Sequence, residues 1–258
     1  MIDTHAHLND ACFDHDLGDV VDRARAAGVT QCIVVGEGPK DAAKILSIAE
    51  AHAGWAYPAL GLFPAPFDDD DVLAFEALAQ HPQWIAFGEV GLDTWIVKEP
   101  SARARHEEVF RHIVRLAARR NLPLNIHSRN CGKRVIEILT EETAAKVHLH
   151  AFDAKPSTIA LGIEAGFYFS IPTSIVHSPQ KQKLAKLVPL TQMLLESDAP
   201  VLGPDRMSRN EPKNLPLTLA AIARIRDIPD AALEEILDTN TRQLYALPRL
   251  QHTPNGDP

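Results

Sequence analysis

The stretch Gln31-Cys-Ile-Val-Val35 contains four apolar residues in succession, and Gly36, which we assign to a turn, follows it directly. A strand with one solvated face alternates apolar and polar residues, whereas a strand buried on both faces is apolar nearly throughout. This stretch is therefore typical of a strand inside a parallel sheet that is covered on both faces. Consecutive parallel strands need a crossover connection, usually a helix, so helices are expected on either side of it.

Similar apolar segments recur along the chain, with helical segments between them. Candidate strands begin near Ile2, Cys32, Ala56, Ile85, Leu124, Val147, Phe167 and Met193. One intervening segment has the i, i+3, i+4, i+7 spacing of an amphipathic helix, at Phe110, Ile113, Val114 and Ala117. The acidic run Asp68–Asp71 suits the start of another helix, because carboxylates are favoured at the positive end of the helix dipole. Eight strands alternating with helices predict an α/β fold, a single (β/α)8 TIM-type barrel.

Composition and charge limit the class of protein. The chain has 258 residues, of which 45% are hydrophobic and 23% charged, and its formal net charge is −8. This length suits one α/β barrel, and no linker-like segment marks a second domain. We expect the barrel to span residues 1–247 and a flexible tail to span 248–258. The acidic balance argues against a long basic track for duplex nucleic acid.

The cysteines and the absence of long apolar runs indicate the compartment. Cys12, Cys32 and Cys131 form no CxxC pair and leave an odd count, which argues against a disulfide framework. No apolar run has membrane-spanning length, and the first residues lack the pattern of a signal peptide. The expectation is a cytoplasmic protein with no membrane association and no obligate protein partner.

The first residues of the chain suggest a metal site. His5 and His7 lie two residues apart in Met1-Ile-Asp-Thr-His-Ala-His-Leu8, so in a strand their imidazoles point to the same face. Neutral imidazole nitrogens are good ligands for zinc, manganese or iron. Four more candidate ligands follow at the predicted ends of later strands: Glu89, His127, His150 and Asp198. In a (β/α)8 barrel, reactive residues come from the C-terminal strand ends, so the six side chains should meet there.

Six ligands exceed the need of one tetrahedral ion, which favours two divalent ions sharing a bridging carboxylate. One ion would be bound by His5, His7, Asp198 and Glu89, and the other by Glu89, His127 and His150. The histidine content favours Zn²⁺ or Mn²⁺, with Mg²⁺ as an option at a weaker second site. The predicted reaction is hydrolysis by metal-activated water, with Glu89 and Asp198 as catalytic residues and Asp198 taking the proton of the water.

Several motifs extend this pattern over nearly the whole chain. They are Ile2-Asp-Thr-His-Ala-His-Leu8, Gly88-Glu-Val-Gly-Leu-Asp93, Ile126-His-Ser-Arg129, His150-Ala-Phe152, Leu195-Glu-Ser-Asp-Ala-Pro200, Arg209-Asn-Glu-Pro212 and Asn240-Thr-Arg242. In this order and spacing, the sequence resembles the TatD-like metal-dependent hydrolases, within the amidohydrolase-type barrels. The resemblance implies a divalent-metal deoxyribonuclease, typically a 3′→5′ exonuclease on single-stranded DNA or RNA and sometimes linked to DNA repair. Phosphotriesterase-type relatives carry a carboxylated lysine at the fourth strand, where this chain has Glu89.

Three departures from the usual motifs leave the substrate open. Phe63 precedes Pro64 where many relatives have histidine, Ala151–Ala154 replaces a usual Cys-Phe-Ser-Gly, and Val201 stands where relatives often have an aromatic residue. An alternative hypothesis therefore keeps the site and changes the bond, to an acyl, amide, lactone or ester bond, as in deacylation of mischarged tRNA. A third hypothesis is a non-enzymatic metal-holding scaffold, against which the complete ligand set argues.

Four further residues are candidates for binding the substrate. Arg129 lies two residues beyond His127, so it points to the same face and would grip a phosphate with its planar fork. Trp95, in the loop after the fourth strand, would stack on a base. Arg206 and Arg209, after the last strand, would also meet the substrate. The alternatives are a structural ion pair for Arg129, loop packing for Trp95 and solvated positions for the two loop arginines. His148 shares a face with the ligand two residues later but lies deeper, which favours a supporting role.

Overall fold

The computed structural model describes residues 1–249, and within them eight parallel strands alternate with helices. The strands are β1 (Ile2–Ala6), β2 (Gln31–Val35), β3 (Ala56–Leu62), β4 (Ala86–Asp93), β5 (Leu124–Arg129), β6 (Val147–Leu149), β7 (Tyr168–Ile171) and β8 (Met193–Leu195). They pair in sequence order, each parallel to the next. The parallel bridge between Ala6 and Ala199 brings the last strand segment back to the first. The predicted (β/α)8 barrel is therefore confirmed, and each predicted strand start lies within one residue of the observed one.

The helices lie on the outside of the barrel. They are α1 (Leu17–Ala26), α2 (Ala42–Ala51), α3 (Asp69–Leu78), α4 (Pro100–Arg120), α5 (Gly132–Glu141), α6 (Pro156–Glu164), α7 (Pro179–Leu187), α8 (Leu215–Arg226) and α9 (Asp230–Tyr245). In the part of the chain that the structure describes, no helix is both long and apolar enough to cross a membrane. Of the tail expected over 248–258, residues 250–258 lie outside the described part of the chain.

Two of the predicted helices illustrate why the sequence folds this way. The Asp68 carboxylate accepts a hydrogen bond from Asp71 N at 3.0 Å, and the Asp71 carboxylate accepts one from Asp68 N at 3.2 Å. This reciprocal cap satisfies backbone donors at the start of α3, so the acidic run is a helix start, as predicted. In α4 the predicted apolar stripe is buried: Phe110, Ile113, Val114 and Ala117.

The side chains of each strand divide between two layers. In β2, which is buried throughout, Ile33 and Val35 face the interior of the barrel, while Cys32 and Val34 pack in the layer between strands and helices. This division follows from the two-residue period of a strand. The interior layer is completed by Leu244, Tyr245 and Leu247, at and just beyond the end of α9. The last helix therefore contributes side chains to the inside of the barrel.

Strands β4 and β5 run further than expected. The sequence predicts strand ends at Glu89 and His127. The register between the two strands shifts between Phe87 and Val90, and the pairing resumes beyond Glu89 as far as Asp93 and Arg129. Gly91 lies in this continuation with φ +143°, and a Cβ there would lie 2.1 Å from the carbonyl oxygen of His127. Only glycine permits this close approach, which brings the two strands together beside the site.

Candidate metal centre

All six predicted ligands meet at the C-terminal end of the barrel. His5 lies in β1 and His7 directly after it, Glu89 lies in β4 and His127 in β5, while His150 and Asp198 follow β6 and β8. Within the described residues, two groups of three donors have ligand atoms within 4.8 Å of one another. The first contains His5, His7 and Asp198, and the second contains His5, Glu89 and His150. His127 adjoins the second group through Glu89.

The two oxygens of Glu89 face two different pairs of imidazoles. Oε2 lies 3.3 Å from Nε2 of His7 and 3.8 Å from Nε2 of His5. Oε1 lies 2.5 Å from Nδ1 of His127 and 2.8 Å from Nε2 of His150. A carboxylate that presents one oxygen to each of two donor sets has the arrangement needed to bridge two cations.

Asp198 closes the first donor group. Its Oδ1 lies 3.5 Å from Nε2 of His5 and 3.7 Å from Nε2 of His7. The backbone of the loop is attached to β1, because Asp198 N donates to His5 O at 2.9 Å and His7 N donates to Ala199 O at 2.7 Å. These bonds hold a ligand from the loop after the last strand against two ligands from the start of the chain.

The hydrogen bonds of His5 show that the site fits a metal ion. Its Nδ1 lies 2.9 Å from Oδ1 of Asn125, which can only accept, so Nδ1 carries the proton. The unprotonated Nε2 then points at Nε2 of His7, 3.1 Å away, and towards two carboxylates. Lone pairs and negative charges therefore converge at one buried point. A divalent cation satisfies such a donor set, and a histidine that donates its other ring proton is a typical metal ligand.

The charges in the site perturb one another strongly. Burial acts to raise the pKa of Glu89, but His150 and His127 hold it well below its ordinary value. Burial raises the pKa of Asp198 to about 7, with His150 and His7 acting in the opposite direction. Burial, together with the neighbouring charge of His150, lowers the pKa of His5 well below its ordinary value, which keeps the imidazole neutral. A bound cation would favour the ionised form of both carboxylates.

Asp93 is a site residue that is not among the ligands predicted from the sequence. Its Oδ2 lies 2.9 Å from Nε2 of His127, and its Oδ1 accepts hydrogen bonds from the backbone N–H groups of Trp95 and Ile96. The carboxylate therefore accepts a hydrogen bond from Nε2–H of His127 and leaves Nδ1 free to face Glu89 and a cation. A sequence signal was available, because Asp93 ends the Gly88–Asp93 motif and shares a strand face with Glu89.

A cavity of about 700 Å³ opens above the centre and is lined by ligands together with acidic, basic and apolar side chains. Phe63 is part of this lining, and its ring packs edge-on against His127 with 4.8 Å between centroids. Lys181, from α7, also lines the cavity and is not among the residues predicted from the sequence. Its buried amine donates to Ala151 O and, at 3.2 Å, to Phe152 O. The cavity thus combines the metal ligands with a cationic group and an apolar wall.

Arg129 and Trp95 lie together at the rim of this cavity. The guanidinium carbon of Arg129, which lines the cavity, is 4.0 Å from the centroid of the Trp95 ring. Trp95 is 54% exposed. The stacked pair presents a positive charge beside an open aromatic surface.

The two loop arginines lie away from the ligands. Arg206 lines a neighbouring cleft of about 500 Å³ that shares Lys181 and Val201 with the main cavity. Arg209 binds Asp16 at 2.7 Å and Glu211 at 3.0 Å, and its guanidinium lies over the ring of Phe13. Both terminal nitrogens of Arg209 already have protein partners, and the substrate contact expected for this residue stays a prediction.

Comparisons with known proteins agree with this architecture. The family model of TatD-related DNases matches residues 2–246. The human deoxyribonuclease TATDN3 is 38% identical over 266 residues, which cover 98% of this chain and 96% of the relative. The 3′-5′ ssDNA/RNA exonuclease TatD of Cronobacter turicensis is 29% identical over 259 residues, which cover 95% of this chain and 97% of the relative.

The solved structures show the same fold. The crystal structure of YjjV, a TatD homologue from Escherichia coli K12, superposes with a TM-score of 0.87 at 24% identity and covers 96% of this chain and 98% of that one. The family match extends over almost the whole barrel and includes the motifs that contribute the six ligands. The chain is therefore an enzyme of the TatD-related DNase family, a family whose members include metal-dependent hydrolases.

Proposed function

We propose that this enzyme is a two-metal nuclease that removes nucleotides from the 3′ ends of single-stranded DNA or RNA. The observation that carries the proposal is the position of the Glu89 carboxylate, whose two oxygens face separate imidazole pairs below an open cavity. The human relative is named a deoxyribonuclease and the Cronobacter relative a 3′-5′ ssDNA/RNA exonuclease, which supports phosphodiester bonds as the substrate class.

The ligand set divides between two cations. One cation would be bound by His5, His7, Asp198 and Glu89, and the other by Glu89, His127 and His150. Mixed imidazole and carboxylate donors favour Zn²⁺ or Mn²⁺, with Mg²⁺ as the alternative at the weaker position. When bound, two such cations supply Lewis acidity and make a hydroxide nucleophile available at neutral pH.

The protein groups would position the substrate and move one proton. Asp198, beside His5 and His7, would orient the attacking water and accept its proton at a carboxylate oxygen. Arg129 would bind a phosphate of the strand with its planar guanidinium, and Trp95 would stack on a base near the 3′ end. Asp93 would keep His127 oriented as a ligand through the Nε2 hydrogen bond.

The cavity favours a strand end over a duplex. A cavity of about 700 Å³ is of the size that holds a small-molecule-sized group, so it would admit a terminal nucleotide rather than a helix two strands wide. Two of the acidic residues at its wall, Glu37 and Asp153, would repel a long polyanion lying across the mouth. The formal net charge of −8 is consistent with short contacts to a single strand.

The test is a nuclease assay on protein that has been freed of metal and reloaded separately with Zn²⁺, Mn²⁺ or Mg²⁺. A single-stranded oligonucleotide labelled at its 5′ end should give a ladder of progressively shorter labelled products, and a blunt duplex should be cut far more slowly. Immediate release of the 5′ label as a mononucleotide would reverse the proposed polarity. Turnover of ester, lactone or aminoacyl-tRNA substrates without any oligonucleotide cleavage would replace the proposed bond with an acyl bond.

A further inference from the structure

Five buried polar side chains lie between Nδ1 of His5 and Nδ1 of His150, the ring nitrogens that face away from the other ligands. The set consists of Asn125, His148, Ser170, Glu196 and Tyr245, and we call it the support network. We propose that the support network determines which ring nitrogens of His5 and His150 face the metal, and that Tyr245, from the last helix, is a positioning residue of the centre. This inference rests on the proposed metal centre.

The network begins at His5. Asn125 donates through Nδ2 to Thr4 O at 3.0 Å and to Tyr245 Oη at 3.1 Å. A backbone carbonyl can only accept, so the amide nitrogen of Asn125 must face Thr4, and its Oδ1 must face Nδ1 of His5 at 2.9 Å. The orientation of the amide therefore assigns the proton of His5 to Nδ1 and leaves Nε2 free for a cation.

The hydroxyl of Tyr245 determines the tautomer of His148. Its hydroxyl accepts from Asn125, so its single proton is donated to Nδ1 of His148 at 2.7 Å. The remaining ring proton of His148 must then lie on Nε2, which donates to Ser170 Oγ at 2.6 Å. The hydroxyl of Ser170 donates in turn to Oε2 of Glu196 at 2.6 Å.

The same assignment follows from the opposite end. The Glu196 carboxylate has only acceptors when ionised, so the proton of Ser170 belongs between Ser170 and Glu196. Ser170 must then accept from Nε2 of His148, and Nδ1 of His148 must accept from Tyr245. Because both directions of reasoning agree, the network has one proton arrangement, and every shared proton has a donor and an acceptor.

Glu196 ends the network beside the second histidine. Its Oε1 accepts from Ala151 N at 2.8 Å, and its Oε2 lies 3.5 Å from Nδ1 of His150. In the described part of the chain that Nδ1 atom has no hydrogen-bond partner of its own, and the Glu196 carboxylate lies 3.5 Å from it. The charge favours a proton on Nδ1 and leaves Nε2 of His150, 2.8 Å from Glu89, to face the cation.

The two histidines at the ends of the network are also in direct contact. The rings of His5 and His150 are stacked with centroids 3.9 Å apart and planes 11° from parallel. The support network contacts Nδ1 of both rings and therefore orients the stacked pair as one unit. Tyr245 is 240 positions from His5 along the chain, so the packing of α9 into the barrel is what completes the network.

The test compares Zn²⁺ affinities of full-length variants by calorimetry on metal-free protein with a competing chelator. Tyr245→Phe removes the central hydroxyl, and Ser170→Ala removes the hydroxyl on the Glu196 side. Each should raise the Kd of the higher-affinity Zn²⁺ site about 10- to 100-fold, the usual effect of losing a group that orients a ligand. Tyr57→Phe is the matched control, because the Tyr57 hydroxyl binds Gln31 and Gly54 away from the centre. The Kd of this variant for Zn²⁺ should be unchanged.

A second measurement tests the network in the wild-type protein. Ring ¹⁵N NMR of the metal-free enzyme should report the proton of His5 on Nδ1 and that of His148 on Nε2, and the opposite tautomers would overturn the inference even if neither variant folds. Folded Tyr245→Phe and Ser170→Ala proteins with wild-type Zn²⁺ affinity would also overturn it. A wild-type protein that binds no divalent cation would instead contradict the proposed metal centre, which separates the two failures.

Discussion

Nδ1 of His127 lies 2.5 Å from Oε1 of Glu89, across the pairing of β4 with β5. The other oxygen of Glu89 faces His7, so this one carboxylate of β4 contacts a ligand of β5 and a ligand directly after β1. Loss of the charge of Glu89 should therefore weaken both cation positions at once, whereas loss of a peripheral ligand should weaken one.

Glu89→Gln keeps the size of the side chain and removes its charge. We expect the bound metal to fall from two ions per chain to one or fewer, and kcat/KM on a single-stranded oligonucleotide to fall at least about 100-fold. Elemental analysis and steady-state kinetics check this. Glu50→Gln, on the exposed face of α2, is the matched control and should change neither quantity. Retention of two tightly bound ions by Glu89→Gln would contradict the bridging role.

The Arg129–Trp95 pair predicts a separate effect on substrate binding. Trp95→Ala should raise KM for a single-stranded oligonucleotide about 5- to 100-fold, because base stacking on an aromatic ring contributes about 1–3 kcal/mol. Metal content should not change, since the indole stacks on Arg129, which is not among the six ligands. Trp95→Phe keeps an aromatic face and should recover most of the affinity. A loss in kcat with an unchanged KM would show that Trp95 acts on the centre rather than on the substrate.

Gly91 should tolerate no side chain. Gly91→Ala would place a Cβ 2.1 Å from His127 O at φ +143°, so β4 and β5 would have to separate beside two ligands. We expect a loss of about 2–5 kcal/mol in the free energy of unfolding, measured by urea denaturation, together with weaker metal binding. Gly18→Ala is the control in α1, where an added Cβ meets nothing within 4 Å. That variant should be neutral or more stable by about 0.5–1 kcal/mol.

The ion pairs of Glu211 should make the free energy of unfolding depend on pH, independently of the metal centre. Burial raises its pKa, but hydrogen bonds from Arg23, Arg209 and Lys213 lower it more, so the folded pKa lies below the ordinary value. The contribution of the carboxylate is therefore present above the unfolded pKa of about 4.3 and is lost as the pH falls through the folded pKa.

The comparison with Glu211→Gln isolates this contribution. At pH 7 the wild type should exceed the variant by about 1.5–3 kcal/mol in the free energy of unfolding, the range for hydrogen bonds to charged groups. The difference should shrink steadily as the pH is lowered below about 4. Urea denaturation of both proteins between these pH values measures it, and a difference that does not vary with pH would exclude the ionised carboxylate as its source.

The positions of the elements and of the ligands were predictable because both depend on short-range patterns. An apolar run such as Gln31–Val35 reports burial on both faces, and its recurrence implies the barrel, whose geometry brings strand ends to one mouth. His5 and His7 could be paired from a spacing of two residues. The lengths of β4 and β5 were not predictable in this way, because the register shift beside Glu89 arises from contact with the neighbouring strand.

The residues that support the ligands could be predicted from the sequence only in part. Asp93 and Glu196 lie inside motifs that were recognised, so their carboxylates were visible beside the ligands Glu89 and Asp198. Their partners were not, because the hydrogen bond of Asp93 to His127 and the contact of Glu196 with His150 depend on side-chain directions across different strands. The ion pair of Arg209 with Asp16 was equally unpredictable from the sequence, since the two residues are far apart along the chain.

The sequence by itself determined the (β/α)8 barrel, the six candidate ligands and their common location, because residue periodicity and strand order are local and repeating properties. Only the tertiary structure decided that Glu89 divides its oxygens between two imidazole pairs, and that Tyr245 reaches under the centre to complete a chain from Asn125 to Glu196. Those relationships depend on distances of about 3 Å between side chains that lie far apart along the chain. Such distances exist only after the strands have closed and the last helix has packed into the barrel.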